Sequence, residues 1–194
     1  RYDAQNVNSI ASNMVVSLAG TENYLWIGTG VHGLDRLNRH TGEITHFRAA
    51  NDDPTSISSD NIYTLFKDSR ERVCIGSWGG GLSLVNDNQE SFTNYPIDKS
   101  NTRLNVVTTI AEDTSGGLWL GTYGKGLAYF EPETGQMRFY QHDEKNSGSI
   151  GHNNINTLLV DENGRLWIST MGAGINRLDK FNSESGEATF SRID

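Results

Sequence analysis

One phrase recurs along this chain at a nearly constant spacing, and no other feature restricts the possible fold as strongly. LWLGT at 118–122 returns as LWIST at 166–170, and related segments stand at 25–29 and 73–77. The anchor residues of the phrase are Trp26, Cys74, Trp119 and Trp167, so the steps are 48, 45 and 48 residues (74−26, 119−74 and 167−119). Seven residues after each anchor stands a glycine: Gly33, Gly81, Gly126 and Gly174. A fixed period of this length indicates a repeat architecture in which each copy is one supersecondary unit.

Each copy predicts four short strands. A short, largely β-branched segment bounded by polar residues precedes every anchor, as INTLLV does at 155–160, and this pattern favours a strand. Six residues before the anchor stand Asp68, Asp113 and Asp161, with Gly20 at that place in the first copy. Such an Asp predicts a turn, because its side chain accepts hydrogen bonds from nearby backbone. The anchor segment, the segment after the glycine and a more polar segment supply the remaining strands.

The sequence therefore predicts an all-β fold, a β-propeller with four blades of four antiparallel strands each. We place the blades at about 13–50, 61–97, 105–142 and 154–193, within one array that covers residues 1–194. A β-sandwich would also contain many short strands, but it gives no reason for one phrase to return at a fixed period. The Trp-Asp dipeptide of WD40 blades and a constant glycine doublet of the kelch type are both missing from the four copies.

Composition excludes several classes of partner. The formal net charge is −8 and the isoelectric point is about 5.1, so nucleic acid and anionic membrane surfaces are not expected partners of this segment. No apolar run approaches the roughly 18 residues that span a bilayer. Cys74 has no second cysteine to pair with, and we expect it to be a buried thiol that packs as a small hydrophobe. The chain begins at Arg1 without an initiator Met, and we expect it to be part of something longer.

The combined columns, D-x-x-G-x-L-W-[IL]-G-T-x-x-x-G-L, resemble the two-component regulator propeller repeat. PTSISSDNI at 54–62 and SGSIGHNNI at 147–155 are similar to the linker that precedes each first strand in that family. The first two copies depart from the pattern, since AGTENYLW lacks the Asp and the Gly and KDSRERVC lacks the Gly and the Trp. The resemblance implies seven blades, so we expect the four blades here to be part of a larger, seven-bladed propeller.

The resemblance also implies a function. Its repeats build the extracytoplasmic sensor of bacterial, Bacteroides-like hybrid two-component receptors with a histidine kinase, especially those that detect oligosaccharides. The expected partner is then an oligosaccharide, the expected location is the periplasm, and contact with the membrane is expected only through the parent protein. We also expect self-association through open blade ends or as a receptor dimer. A structural protein–protein interaction propeller without a small ligand is the alternative, and a propeller glycosidase or lyase is a third possibility.

Ligands of propellers usually bind on the face where the loops between second and third strands meet the linkers between blades. The first variable position in the former loop is Gly30, Trp78, Tyr123 or Met171 in the four copies. Sugar rings have an apolar face that stacks on aromatic side chains, although a large residue at this position could equally cap the blade core. With the polar residues of the same loops, the predicted ligand-binding set is Trp78, Tyr123, Met171, His32, Lys125, Asp60, Arg103, His152 and Asn153.

The same loops give no sign of an enzyme. Glycoside hydrolysis needs two carboxylates roughly 5 to 10 Å apart, and the turns TGVHG, SWGGG, TYGKG and TMGAG contain none. The five histidines fall at unrelated positions of the repeats, which argues against a metal cluster. We therefore predict no catalytic residues, no metal site and no cofactor in this segment.

Overall fold

The structure is a computed structural model that describes residues 1–193. These residues form sixteen strands in four antiparallel sheets, and each sheet contains four consecutive strands in sequence order. The chain divides into two compact units, Arg1–Val107 and a second that begins at Thr108. Asp194, the end of the predicted array, lies outside the described residues. The all-β fold with four-stranded blades is thus confirmed, whereas one continuous array over the whole chain stays a prediction.

The first unit contains two blades. The strands of the first blade are β1 (Val15–Gly20), β2 (Tyr24–Thr29), β3 (Leu34–Asn38) and β4 (Ile44–Phe47). Those of the second blade are β5 (Ile62–Lys67), β6 (Val73–Ser77), β7 (Gly81–Val85) and β8 (Phe92–Tyr95). Trp26 and Leu34 of the first blade share one buried cluster with Ile62 and Leu65 of the second. The core of this unit therefore lies between the faces of its two sheets.

The second unit repeats this arrangement. The strands of the third blade are β9 (Val107–Glu112), β10 (Leu118–Thr122), β11 (Leu127–Glu131) and β12 (Gln136–Tyr140). Those of the fourth blade are β13 (Ile155–Val160), β14 (Leu166–Thr170), β15 (Ile175–Phe181) and β16 (Ala188–Ile193). Trp119 and Leu127 cluster with Ile155 and Leu158, which occupy the same repeat positions as the core residues of the first unit. Cys74, the residue at the anchor position of the second blade, is fully buried, as predicted.

The predicted Asp turns are present, but the first blade differs from its expected alignment. Asp161 Oδ1 accepts the backbone N–H of Asn163 and of Arg165, both at 2.9 Å. In the first blade the turn is one residue shorter, and Thr21 Oγ1 accepts the N–H of Tyr24 at 3.2 Å. Thr21 therefore takes the place of the Asp, and the assignment of Gly20 to this column is wrong. Counting back from the anchor cannot detect a one-residue deletion inside the turn.

The glycines seven residues after the anchors of the first and third blades join these blades to the linkers that follow them. Gly33 has a φ of 66° and Gly126 a φ of 75°, values that glycine adopts without steric cost. The Gly33 N–H donates to the Asp60 carbonyl at 2.8 Å, and the Gly126 N–H donates to the Asn153 carbonyl at 2.9 Å. The loop between the second and third strands and the next linker therefore lie side by side, which agrees with the predicted ligand face.

Two further features complete the description. Thr102–Leu104 forms a short 3-10 helix in the linker before the third blade, and the Asn101 side chain caps it by accepting the Arg103 N–H. Within residues 1–193, no helix has the length and apolar character that crossing a bilayer requires.

Candidate functional site

An aromatic pair lies on the loop face of the first unit. The rings of Tyr63 and Trp78 are 6.1 Å apart between centroids with their planes inclined by 30°. Tyr63 is 47% exposed and Trp78 is 41% exposed. Large aromatic rings are usually mostly buried, so two neighbouring exposed rings form a surface that is open to a ligand.

A β-bulge explains how Tyr63 reaches this surface. The pairing of β5 with β6 shifts register between Ile62 and Thr64, so Tyr63 has no partner in the ladder. The same shift occurs at the start of β1 and of β13. A bulge redirects the side chain of the extra residue. Ile62 consequently stays buried in the core, and Tyr63 turns outward beside Trp78.

Backbone hydrogen bonds hold Trp78 in position. Its N–H donates to the Asn61 carbonyl at 2.9 Å, and its own carbonyl accepts the Ser59 hydroxyl at 2.8 Å. Trp78 also forms an isolated β-bridge with Val106. The residue is therefore attached on both sides, to the linker before the second blade and to the linker after it.

A cleft of about 250 Å³ adjoins Tyr63. It lies between the first two blades and is lined by Met14, Val16, Gly30, Asn61, Ile62 and Tyr63. Gly30 keeps room for the methionine, since a Cβ atom there would lie 2.9 Å from Met14 Sδ. The cleft is therefore mostly apolar, with the amide group of Asn61 as a polar element in its wall. This composition, with few polar groups in an apolar wall, is typical of small-molecule sites.

A second cleft, of about 260 Å³, contains the predicted residue His32. His46 and Arg48 also line it, together with the segment from Tyr2 to Ala11. His46 Nδ1 lies 2.7 Å from Asp35 Oδ1, and Asp35 is fully buried. Asp35 Oδ2 also accepts the Ala11 N–H at 2.7 Å. This acid therefore attaches the amino-terminal segment to the first blade.

Asp60 and Asn153, both predicted as ligand residues, have equivalent scaffold contacts. Asp60 Oδ1 accepts the Ala49 N–H at 2.8 Å, and Asn153 Oδ1 accepts the His142 N–H at 2.7 Å. Their backbone carbonyls accept the glycine N–H groups described above. Each side chain thus closes the linker loop between two blades.

The other predicted residues are distributed over both units. Tyr123 is 38% exposed and forms a β-bridge with Asn154, whose carbonyl accepts the Met171 N–H at 2.9 Å. Tyr123 and Met171 are therefore joined through one residue of the second unit. His152 Nδ1 accepts the Asn154 N–H at 2.9 Å in the same linker. The Lys125 N–H donates to Thr122 Oγ1 at 3.2 Å, and Arg103 is exposed on the 3-10 helix.

Of the predicted ligand set, Trp78 is the residue that lies beside the apolar cleft, and the sequence prediction missed Tyr63, Met14 and Val16. A signal for Tyr63 was present in the repeat. The corresponding residues of the other blades are Val16, Thr108 and Asn156, so Tyr63 is the aromatic member of its column. The Tyr63 side chain points outward because of the β-bulge, and the sequence did not indicate that bulge.

Two carboxyl groups outside the aromatic pair have lowered pKa values. The pKa of Asp53, in the linker before the second blade, is lowered chiefly because its carboxylate accepts the Thr55 hydroxyl. The pKa of Asp161 is lowered chiefly by the hydrogen bond from Trp167 Nε1, which is 2.9 Å from Oδ2. Both acids hold turns. Across residues 1–193, no group of three or more His, Cys, Asp and Glu side chains is placed to hold a metal ion.

Comparison with known proteins identifies the repeat. The model of the two-component regulator propeller family matches residues 103–124 and 149–172. These segments are the linkers and first two strands of the third and fourth blades, so the predicted resemblance to that family is confirmed for these two blades. No curated protein sequence matches the chain.

Solved structures match between 87% and 100% of the chain. The extracellular domain assigned to one hybrid two-component system of Bacteroides thetaiotaomicron matches 100% of this chain with a TM-score of 0.74 at 20% identity. A second such domain from that organism matches 87% with a TM-score of 0.56 at 21% identity. Virginiamycin B lyase from Staphylococcus aureus matches 92% with a TM-score of 0.66 at 16% identity.

These likenesses show the β-propeller fold. The chain spans 26% and 27% of the two Bacteroides chains and 55% of the lyase chain. Identities of 16% to 21% leave the chemistry of the loops undetermined, since one fold supports unrelated functions.

Proposed function

We propose that this chain is a non-catalytic, ligand-sensing propeller segment of a periplasmic receptor domain in a bacterial hybrid two-component system, and that its ligand is an oligosaccharide. The observation that carries the proposal is the exposed pair of Tyr63 and Trp78 beside a cleft of about 250 Å³. The receptor context is supported by the repeat family and by the likeness to extracellular domains assigned to such systems.

The chemistry of the cleft suits a sugar ring. The C–H face of a pyranose can stack on Trp78 and Tyr63, and Met14 and Val16 extend the apolar surface. The Asn61 amide supplies a donor and an acceptor for hydroxyl groups at the wall of the cleft. The net charge of −8 repels anionic ligands. We therefore expect a neutral oligosaccharide to bind more tightly than a sulfated or uronate-rich one.

The site is already organised before a ligand arrives. The backbone of Trp78 is fixed by hydrogen bonds to Asn61 and Ser59. Tyr63 is the bulged residue of β5 and stands next to the buried Ile62. Binding to fixed rings loses little conformational freedom, so more of the contact energy remains as affinity. Loops on a rigid scaffold are a common place for ligand recognition.

Isothermal titration calorimetry with a panel of neutral and acidic oligosaccharides tests the proposal. We expect a neutral sugar to bind, and Trp78→Ala and Tyr63→Ala each to weaken its binding about tenfold, or about 1.4 kcal/mol. Phe139→Ala is the matched control, because Phe139 is an aromatic residue of β12 that is 39% exposed. It should bind like the unmodified chain.

Three outcomes would contradict parts of the proposal. Equal affinity of the unmodified chain and both cleft variants would place the sugar elsewhere. No binding by any sugar of the panel at millimolar concentration would favour the protein-interaction alternative. Shorter products in the titrated samples, separated by chromatography, would show that the segment is an enzyme.

A further inference from the structure

His46 holds the linker before the first blade through both nitrogens of its ring. Nδ1 lies 2.7 Å from Asp35 Oδ1, and Nε2 lies 3.1 Å from the Val7 carbonyl oxygen. Asp35 is fully buried on β3, and His46 stands opposite it on β4. The ring therefore joins the interior of the blade to this linker, which we call the first linker and define as residues 3–13.

Both atoms that face the ring accept hydrogen bonds. A backbone carbonyl has no proton to donate, and an ionised carboxylate has none either. A neutral imidazole has one N–H group and one bare nitrogen, so beside an ionised Asp35 it can satisfy one of the two contacts but not both. The arrangement is complete when the pair holds one additional proton, either as an imidazolium with a carboxylate or as a neutral ring with a carboxylic acid.

The second blade attaches its linker at the same place without a titratable group. At the positions of the acid and the histidine stand Ser83 and Asn94, which also face each other across two strands. Ser83 Oγ donates to Asn94 Oδ1 at 2.6 Å, and Asn94 Nδ2 donates to the Pro54 carbonyl at 3.2 Å. Pro54 is the counterpart of Val7 in its linker. Attachment of a linker to the blade that follows it is therefore shared by these two repeats, and the chemistry of the attachment differs.

We propose that the pair of His46 and Asp35 is a proton-dependent latch, which holds the first linker at low pH and releases it as the pH rises. When the pair loses its proton, the ring keeps the N–H that faces the carboxylate, because hydrogen bonds to a charged acceptor are stronger. Nε2 then presents a lone pair to the Val7 carbonyl oxygen, and that contact is lost. The Ala11 N–H still donates to Asp35 Oδ2, at 2.7 Å, so release begins at the Val7 end.

Other ionisable groups near the ring line the same cleft of about 260 Å³. Arg48 follows the histidine by two positions, His32 belongs to the loop between β2 and β3, and Asp3 and Tyr2 lie at the start of the chain. Arg48 and a protonated His32 carry the same sign of charge as an imidazolium, whereas Asp3 carries the opposite sign. The first linker forms a wall of this cleft, so its release widens the cleft around His32.

One amide in each of the first two blades reports whether its linker is attached. The Ile44 N–H donates to Asn8 Oδ1 at 2.6 Å, and the Phe92 N–H donates to the Thr55 carbonyl at 2.8 Å. These amides occupy the same position of the repeat, two residues before the histidine and its counterpart. Release of the first linker therefore exposes the Ile44 amide to hydrogen exchange, and the Phe92 amide serves as an internal control.

Nuclear magnetic resonance spectroscopy of the isotope-labelled chain over a range of pH tests the proposal. The ring signals of His46 show which of its nitrogens carry protons, and exchange of the two amides is measured on both sides of the transition in these signals. After correction for the intrinsic pH dependence of exchange, we expect the Ile44 amide to exchange about tenfold faster above the transition. The Phe92 amide should keep its protection.

Two variants separate the latch from other titrating groups, with circular dichroism to verify that each is folded. The double variant Asp35→Ser/His46→Asn gives the first blade the pair of the second blade, so its Ile44 amide should stay protected at both pH values. His32→Asn removes the other histidine of the cleft and should leave the tenfold difference unchanged.

Three results would each overturn the proposal. The first is a His46 ring with the same single protonated nitrogen at every pH. The second is equal protection of the Ile44 amide above and below the transition. The third is a folded double variant that retains the tenfold difference, since another group would then control the linker. The first two results come from the unmodified chain and do not depend on whether the double variant folds.

Discussion

The third and fourth blades share nearly the same sequence phrase, yet equivalent side chains of the two blades differ in burial. Trp119 is 1% exposed and Leu127 is 0% exposed, whereas Trp167 is half-buried and Ile175 is 49% exposed. The strands themselves are alike, since LWLGT forms β10 and LWIST forms β14. The phrase therefore specifies a strand, but its apolar side chains become buried only where a neighbouring blade packs against them.

The largest expected difference concerns the two tryptophans. Trp119 packs against Tyr129 and Phe181, with ring centroids 4.8 Å apart in both pairs. Trp119→Ala should lower the free energy of unfolding by about 3–5 kcal/mol, the usual cost of removing a buried aromatic side chain. Trp167→Ala should cost about half as much or less, because part of that ring is already in water. Urea unfolding of both variants measures the difference. Equal losses of unfolding free energy would contradict the difference in burial between the two tryptophans.

Substitution of the glycines that follow these strands should also destabilise the third blade more than the fourth. A Cβ atom at Gly126 would lie 2.2 Å from the Tyr140 carbonyl oxygen, whereas at Gly174 the nearest atom is the Ile193 carbonyl oxygen at 4.0 Å. Both residues have positive φ, 75° and 59°. Gly174→Ala should therefore cost only the left-handed backbone term of about 1–2 kcal/mol. Gly126→Ala adds a steric clash of about 1–3 kcal/mol. Similar melting temperatures of the two variants would contradict this.

A smaller, stabilising effect is expected from the turn of the first blade. In the fourth blade Asp161 accepts the Trp167 indole N–H, but in the first blade Thr21 stands in its place. Trp26 Nε1 is buried and has no hydrogen-bond partner among residues 1–193. Thr21→Asp supplies an additional acceptor and should raise the free energy of unfolding by about 1 kcal/mol. Thermal unfolding measures it, with Thr21→Asn as the uncharged control. A loss of stability would show that the shorter turn cannot place the carboxylate.

The smallest effect is a dependence on pH. The pKa of Asp161 is lowered in the folded chain, chiefly by the Trp167 hydrogen bond, from an ordinary value of 3.8. The carboxylate therefore stabilises the fold above its unfolded pKa, and this contribution is lost as pH falls through the lower folded pKa. Asp161→Asn should lie below the unmodified chain at neutral pH and approach it in acid, from about pH 4 downward. A constant difference in melting temperature across that range would exclude this linkage.

The candidate site contains one residue that the sequence pointed to and others that it did not. Trp78 could be predicted, because a large aromatic residue interrupts a glycine-rich loop of known position in the repeat. Tyr63 could not, since its outward direction depends on a bulge in β5. Asp60 and Asn153 were predicted as ligand residues from their loop positions. Their side chains accept backbone N–H groups within the linkers, and only three-dimensional proximity reveals those bonds.

By itself, the amino-acid sequence determined the number of sheets, the four-stranded pattern and the Asp turns of the last three blades, because strand propensity and turn hydrogen bonds act between residues that are close in the chain. The tertiary structure alone decided which apolar faces are covered. Leu18 and Leu65 occupy the same strand position, yet they are 56% and 7% exposed. Burial depends on contact with a surface formed by residues that are distant in the chain, and the local sequence around a residue does not specify that contact.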